Sequence, residues 1–231
     1  MIKLKLPFLL FFLITSYLGV AQSRETRDVA RFSEISLRSG GTVYLTQGNT
    51  QKVELKGDRD ILEKIETEVR GGRLSIGYKN SKRWGWSNNG RFDVYITVKE
   101  IEGISVSGAG NIRGENEFKT DDLDLSVSGS GRMELEVDAR TVEMSVSGSG
   151  KIMIEGTTRE AYTSMSGSGR IKAEDLKSET YKVRISGSGS CEIYATDEID
   201  ARISGSGSVY YRGNPPRVNN STSGSGRIRK M

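Results

Sequence analysis

An all-β fold built as a parallel β-solenoid, with turns of about 19–20 residues, is what this sequence predicts, on three observations. The first is a repeat. The unit S-G-[SA]-G occurs seven times, with its first glycine at Gly108, Gly129, Gly148, Gly167, Gly187, Gly205 and Gly224. The spacing stays between 18 and 21 residues. A flexible Ser-Gly linker has no reason to keep a period, whereas a chain that completes one coil per repeat must keep one. The second observation is alternation before the unit. Two, four and six positions ahead of the first glycine the chain is apolar in most repeats: Leu123, Leu125 and Val127, then Val142, Met144 and Val146, then Ile199, Ala201 and Ile203. The third is alternation after it. Four positions on stand Ile112, Met133, Ile152, Ile171, Cys191, Val209 and Ile228. Apolar even offsets and polar odd ones are a period of two, hence strand with one buried face.

On this phase both glycines of each unit fall on the inward side, where a crowded corner leaves room only for hydrogen. The serines, such as Ser128 and Ser130 around Gly129, point outward. Stacked at about 4.8 Å, equivalent turns would carry ladders of hydroxyls. A single turn buries too few modest side chains to offset the ordering of its backbone, so stability belongs to the array.

The segments can be taken in chain order. Residues 1–21 read as a secretory signal peptide: Lys3 and Lys5, an apolar run from Leu6 to Leu18, then Gly19-Val20-Ala21, with cleavage expected after Ala21. No cysteine follows the apolar run, so the expectation is an exported protein that is not a lipoprotein, periplasmic or at the cell surface, with no membrane span. Residues 22–231 read as one β-solenoid domain, with 29–100 as less regular opening turns or a cap and 101–231 as the regular repeats. Within the first part, "DRDILEKI" suggests one helical turn and "TEVRGGRLSIGY" a hairpin across Gly71-Gly72. At the far end Pro215 and Pro216 are expected to blunt the open edge, and Asn220 and Thr222 take apolar inward places.

Composition excludes several functions. The chain has one cysteine and no histidine, which removes an internal disulfide, the common Cys/His metal sites and histidine-based triads. No metal or other cofactor is expected. Cys191 shares the slot of Ile171 and Val209 and reads as a small buried hydrophobe. Without residues 1–21 the chain keeps 32 basic against 30 acidic residues, too even a balance for nucleic acid. "GAGNIRG" lacks the strand-to-helix turn of a dinucleotide fingerprint.

Three surface features remain as candidates. Asp124 and Glu143 share an outward column five residues before their glycines, with Tyr162 and Lys182 continuing it. Stacked about 5 Å apart they would approach the spacing of a retaining glycosidase, although a solvated face gives the same pattern. Arg132, Lys151 and Arg170 occupy one slot in three consecutive turns. Such cations repel unless an anion lies beside them, either Glu134 or a carboxylated or sulfated glycan, although ordinary solvated charge gives the same row. Trp84 and Trp86 lie in the polar loop "NSKRWGWSNNG", where indoles either stack on sugars or fold back over the solenoid end.

The order of "RFSEISLRSGGTVYLTQG", "ILEKIETEVRGGRLSIGY", "VYITV" and "ISVSGAGNIRG" resembles the head GIN domain family, head domains of auto-transporter adhesins found mainly in Bacteroidetes. The resemblance spans roughly residues 29–212, and Gly108, Gly110, Asn111 and Ile112 match the core that names the family. Thr42 stands where the family often carries an acid. The resemblance implies a right-handed β-helix, export to the envelope and an adhesive or binding role. It carries over no catalytic residues. The resulting expectation is a non-catalytic exported adhesin or binding module with a polysaccharide or cell-surface partner. The alternatives are a glycoside hydrolase or polysaccharide lyase working through Asp124 and Glu143, and a scaffold that stacks end to end.

Overall fold

The structure, a computed structural model, describes residues 23–79 and 91–231; the signal peptide expected at 1–21 lies outside them. The N-terminal third supplies β1 (Ser23–Arg27), β2 (Glu34–Leu37), β3 (Thr42–Gln47), β4 (Lys52–Gly57), the helical turn α1 (Arg59–Leu62), β5 (Ile65–Arg70), β6 (Arg73–Tyr78) and β7 (Phe92–Val98). There follow β8 (Gly103–Gly108), β9 (Asn111–Gly114), β10 (Phe118–Gly129), β11 (Arg132–Gly148), β12 (Lys151–Gly167), β13 (Arg170–Gly187), β14 (Ser190–Gly205), β15 (Ser208–Arg212), β16 (Arg217–Gly224) and β17 (Arg227–Lys230). Among the described residues these seventeen strands join in one hydrogen-bonded sheet.

From β8 onward the sheet is a stack of parallel coils, and the repeat of the sequence is the repeat of the structure. The seven first glycines pair rung on rung, from Gly108 beside Gly129 to Gly205 beside Gly224. Ile112, Met133, Ile152, Ile171, Cys191 and Val209 form one inward column, each fully buried. A parallel in-register stack places like residues over like, so each apolar offset becomes a continuous seam of the core. The 18–21-residue variation is absorbed away from the Ser-Gly corner. Register shifts fall between Met153 and Glu155, between Ala173 and Lys177, and between Ser178 and Thr180. Bulges there take up the extra residues while the corner stays aligned.

The two glycines of each unit differ, which corrects the expectation that both point inward. The second, such as Gly150, is buried. A Cβ on it would overlap Val127 Cγ1 of the turn below and lie 3.1 Å from the Gly131 carbonyl oxygen. The first, such as Gly148, sits at the bend itself with φ +104°, and its Cβ would lie 2.8 Å from the Gly129 carbonyl oxygen. It is required for its backbone conformation, not for space in the core.

The N-terminal third departs from simple winding. β2 and β3 pair in parallel with β8 and β9 on one side and with β6 and β7 on the other. The chain therefore lays down a middle coil first and the outer one later. β4 returns antiparallel on β7 with β1 antiparallel on β4, and β5 forms the expected hairpin with β6 across Gly71-Gly72. At the opposite end Val218, Asn220 and Thr222 continue the inward columns of Ile199, Ala201 and Ile203. Pro215 and Pro216 lie in the connection before β16 and not within an edge strand. Having no N–H, they fit where the chain has left the ladder and do not blunt the last rung.

Candidate binding faces

Outward residues form columns along the coil axis because the register is parallel, and the sequence-predicted columns are real. Arg132 pairs with Lys151 and Lys151 with Arg170. Below them lie Asn111 and Thr42, and above them Ser190, Ser208 and Arg227. Among the described residues none of the three cations has a carboxylate within ion-pair distance. Arg170 Nε donates to Ser190 Oγ at 3.2 Å. Lys151 holds its proton less tightly than an ordinary lysine, through partial burial and then the adjacent charges of Arg132, Lys172 and Arg170, against a weaker pull from Glu192. Glu134, one of the two anions weighed for this row, does not neutralise it: it lies directly opposite Arg113 and pairs with that residue at 3.8 Å. Direct cross-strand opposition wins over the position two residues along the strand.

Asp124 and Glu143 are also register partners, followed by Tyr162, Lys182 and Asp200. They border an open depression of about 380 Å³ on the outer face. Asp124 is raised above the usual carboxyl range by burial and then by the Glu34 charge, with Arg73 opposing. Neither carboxylate is held by a hydrogen bond among the described residues, so no partner orients the pair in the way a catalytic acid and base require. Lys182 Nζ lies 5.1 Å from the centre of the Tyr162 ring, and the Tyr162 hydroxyl donates to Glu160. Trp84 and Trp86 fall outside the described residues.

The hydroxyl ladders extend further than the repeats suggested. Three residues before the glycine run Ser75, Ser36, Ser105, Ser126, Ser145 and Ser164. One residue before it run Ser107, Ser128, Ser147, Ser166, Ser186, Ser204 and Ser223. Ser145 Oγ donates to Ser126 Oγ at 3.1 Å, linking adjacent turns. The first of these columns reaches into β2 and β6, which lack the repeat unit, so only the strand pairing reveals it. The same holds for Tyr44 and Tyr95, whose rings stack at 5.0 Å because β3 pairs with β7.

Cys191 is fully buried, as its slot predicted. Burial pushes its thiol up to about 12. Its neighbours include Tyr181, whose hydroxyl lies 3.2 Å from Thr163 Oγ1. Among the described residues no group of three or more Cys, Asp or Glu side chains could hold a metal ion, and no helix is long and apolar enough to cross a membrane.

Known structures share this architecture. A crystal structure of a putative adhesin from Bacteroides fragilis is similar, with TM-score 0.84 and 26% identity, over 92% of this chain and 98% of that one. A putative lipid binding protein from Parabacteroides distasonis gives 0.72 at 26% identity, over 91% and 96%. A putative adhesin from the same organism gives 0.72 at 25% identity, over 91% and 97%. No curated protein matches. Residues 31–215 match the family model described as "putative auto-transporter adhesin, head GIN domain", and the chain belongs to that family.

Proposed function

We propose that this chain is an exported, non-catalytic adhesin of the cell envelope that contacts anionic polysaccharide through the row Arg132, Lys151 and Arg170. The observation that carries the reading is the row itself. Three cations stand in register on adjacent turns with no carboxylate partner among the described residues, and partial burial, then the charges of Arg132, Lys172 and Arg170, weaken proton binding at Lys151. Like charges opposed across strands are destabilising, and a polyanion lying along the coil axis removes that cost. Family membership and the adhesin-named neighbours support the adhesive role. The leader at residues 1–21 supports export. The absence of any orienting partner for Asp124 and Glu143, among the described residues, supports binding without catalysis.

Affinity for alginate, a polyuronate, measured across a salt series tests this. The wild-type protein should bind with a steep loss of affinity as salt rises, because each cation–anion contact is screened. A variant with serine at Arg132, Lys151 and Arg170 keeps the ladder, since Ser190 and Ser208 fill the same column. It should lose much of the affinity and show a shallower slope. Unchanged binding by that variant contradicts the assignment.

A further inference from the structure

The serine column three residues before the glycine holds serine through six successive rungs and then changes. Above Ser164 it reads Arg184 and Arg202, before returning to Ser221. The neighbouring column stays serine through the same rungs, at Ser166, Ser186 and Ser204. The break therefore does not come from the geometry of the coil, which is common to both columns. A local rule broken at one place without a packing reason points to function.

The two arginines stand on adjacent turns about 4.8 Å apart, again like charge over like charge. Arg202 Nη2 meets Asp200 Oδ2 at 3.4 Å. Among the described residues Arg184 has neither a hydrogen-bond partner nor an ion-pair partner, and its side chain is exposed. Both line the depression of about 380 Å³, as do Ser145 and Ser164 below them, Tyr162 and Lys182 beside them, and the carboxylates of Asp124, Glu143 and Asp200. The trough thus offers hydroxyls at its lower rungs and two guanidiniums at its upper ones, Arg202 shared with Asp200 and Arg184 unpaired among the described residues.

We propose that this trough is a second glycan site, distinct from the row at Arg132, and that it takes one uronate-bearing stretch of an extended polysaccharide. Arg184 and Arg202 receive the carboxylate, and Ser145 and Ser164 receive ring hydroxyls. The guanidinium fork matches a carboxylate bidentately, which a lysine cannot do. Lys182, held over the Tyr162 ring, adds charge at the wall of the trough. The rung spacing is comparable to the length of one sugar unit, so a chain parallel to the coil axis meets equivalent groups turn after turn. The proposal rests on the glycan-binding reading above but on different residues and a different face.

The test substitutes serine at Arg184 and Arg202, which restores the ladder already present at Ser164 and Ser221 and so preserves the fold. Titrations with alginate, dextran sulfate and neutral dextran are compared for the wild type, this double variant and the variant with serine at Arg132, Lys151 and Arg170. The expected result is a loss of tenfold or more in alginate affinity for the double variant, with a smaller loss for dextran sulfate. Arg184→Lys and Arg202→Lys together, which keep the charge but not the fork, should recover less than half of that loss. Wild-type alginate affinity in the serine variant, with loss only in the Arg132 row variant, overturns this site and leaves the proposed function standing. An equal loss for alginate and dextran sulfate, fully rescued by lysine, overturns the carboxylate assignment. No binding of any polymer by the wild type overturns both readings.

Discussion

Gly150→Ala isolates the role of the second glycine. Its backbone does not occupy the left-handed region, so the substitution adds a methyl to a core position without backbone strain. That methyl would overlap Val127 Cγ1, roughly 1 Å or more inside the ~3.5–4.0 Å separation of carbon atoms in ordinary contact. Overpacking of this size costs about 1–3 kcal/mol. Loss of a glycine from the unfolded chain returns about 0.4–1 kcal/mol, leaving a net cost of about 1–2. Val127→Ala alone opens a cavity at a residue 1% exposed and costs about 2–3 kcal/mol on the scale of other large-to-small core changes. If the two side chains compete for one space, the double variant should cost little more than Val127→Ala, a favourable coupling of about 1–2 kcal/mol. Urea unfolding followed by far-ultraviolet circular dichroism, with slopes compared across the four proteins, reads this directly. Costs that add to within about 0.5 kcal/mol would refute the claim that the second glycine makes room for the apolar residue of the turn below.

Three further outcomes follow from the same geometry. Cys191, with its thiol raised to about 12, should resist a thiol reagent at pH 8 in the native protein and react only as fast as the protein unfolds; rapid labelling of folded protein would contradict its burial. Asp124 has its carboxyl raised in the folded state, so it favours folding only while protonated. That contribution is complete below the ordinary value of 3.8 and is lost as pH rises through the raised folded value. Asp124→Asn should accordingly raise the melting temperature at pH 7 relative to wild type and reduce the difference at pH 3, and a lower melting temperature at pH 7 would reverse the sign. Lys151 is depressed, so near neutral pH its charge opposes folding. Lys151→Ser should raise the melting temperature at low salt, with the gain shrinking in about 1 M salt, where screening is nearly complete; a loss at low salt would mean that the row is already compensated.

The regular part of the fold was legible because its register is parallel and unshifted at the corner. An offset from the glycine is then a spatial address, which is why Arg132, Lys151 and Arg170, and likewise Asp124 and Glu143, could be stacked from sequence alone. The pairing of Glu134 with Arg113 was within reach of the same reasoning, since position 113 aligns with position 134. The break in the serine ladder at Arg184 and Arg202 was equally visible in the aligned repeats, and it gained meaning only with the depression beside it. The N-terminal third was not legible in this way. No repeat fixes its register, and β2–β3 sits between β6–β7 and β8–β9 although it comes first in the chain. Alternation identifies those strands but carries no information about which neighbour each will find. The first glycine was misassigned because a period-two count cannot register a bend, and at the corner φ +104° takes Gly148 out of the strand's alternation.

The most direct test of binding without cleavage incubates the purified protein with neutral, carboxylated and sulfated polysaccharides, then scores retention and newly formed chain ends in the same samples. Salt-sensitive retention of the carboxylated and sulfated chains is expected, with no retention of the neutral ones and no new ends. New chain ends that vanish in Asp124→Ala, Glu143→Ala protein of unchanged stability would contradict this expectation and place a glycoside hydrolase or lyase on the outer face of the coil.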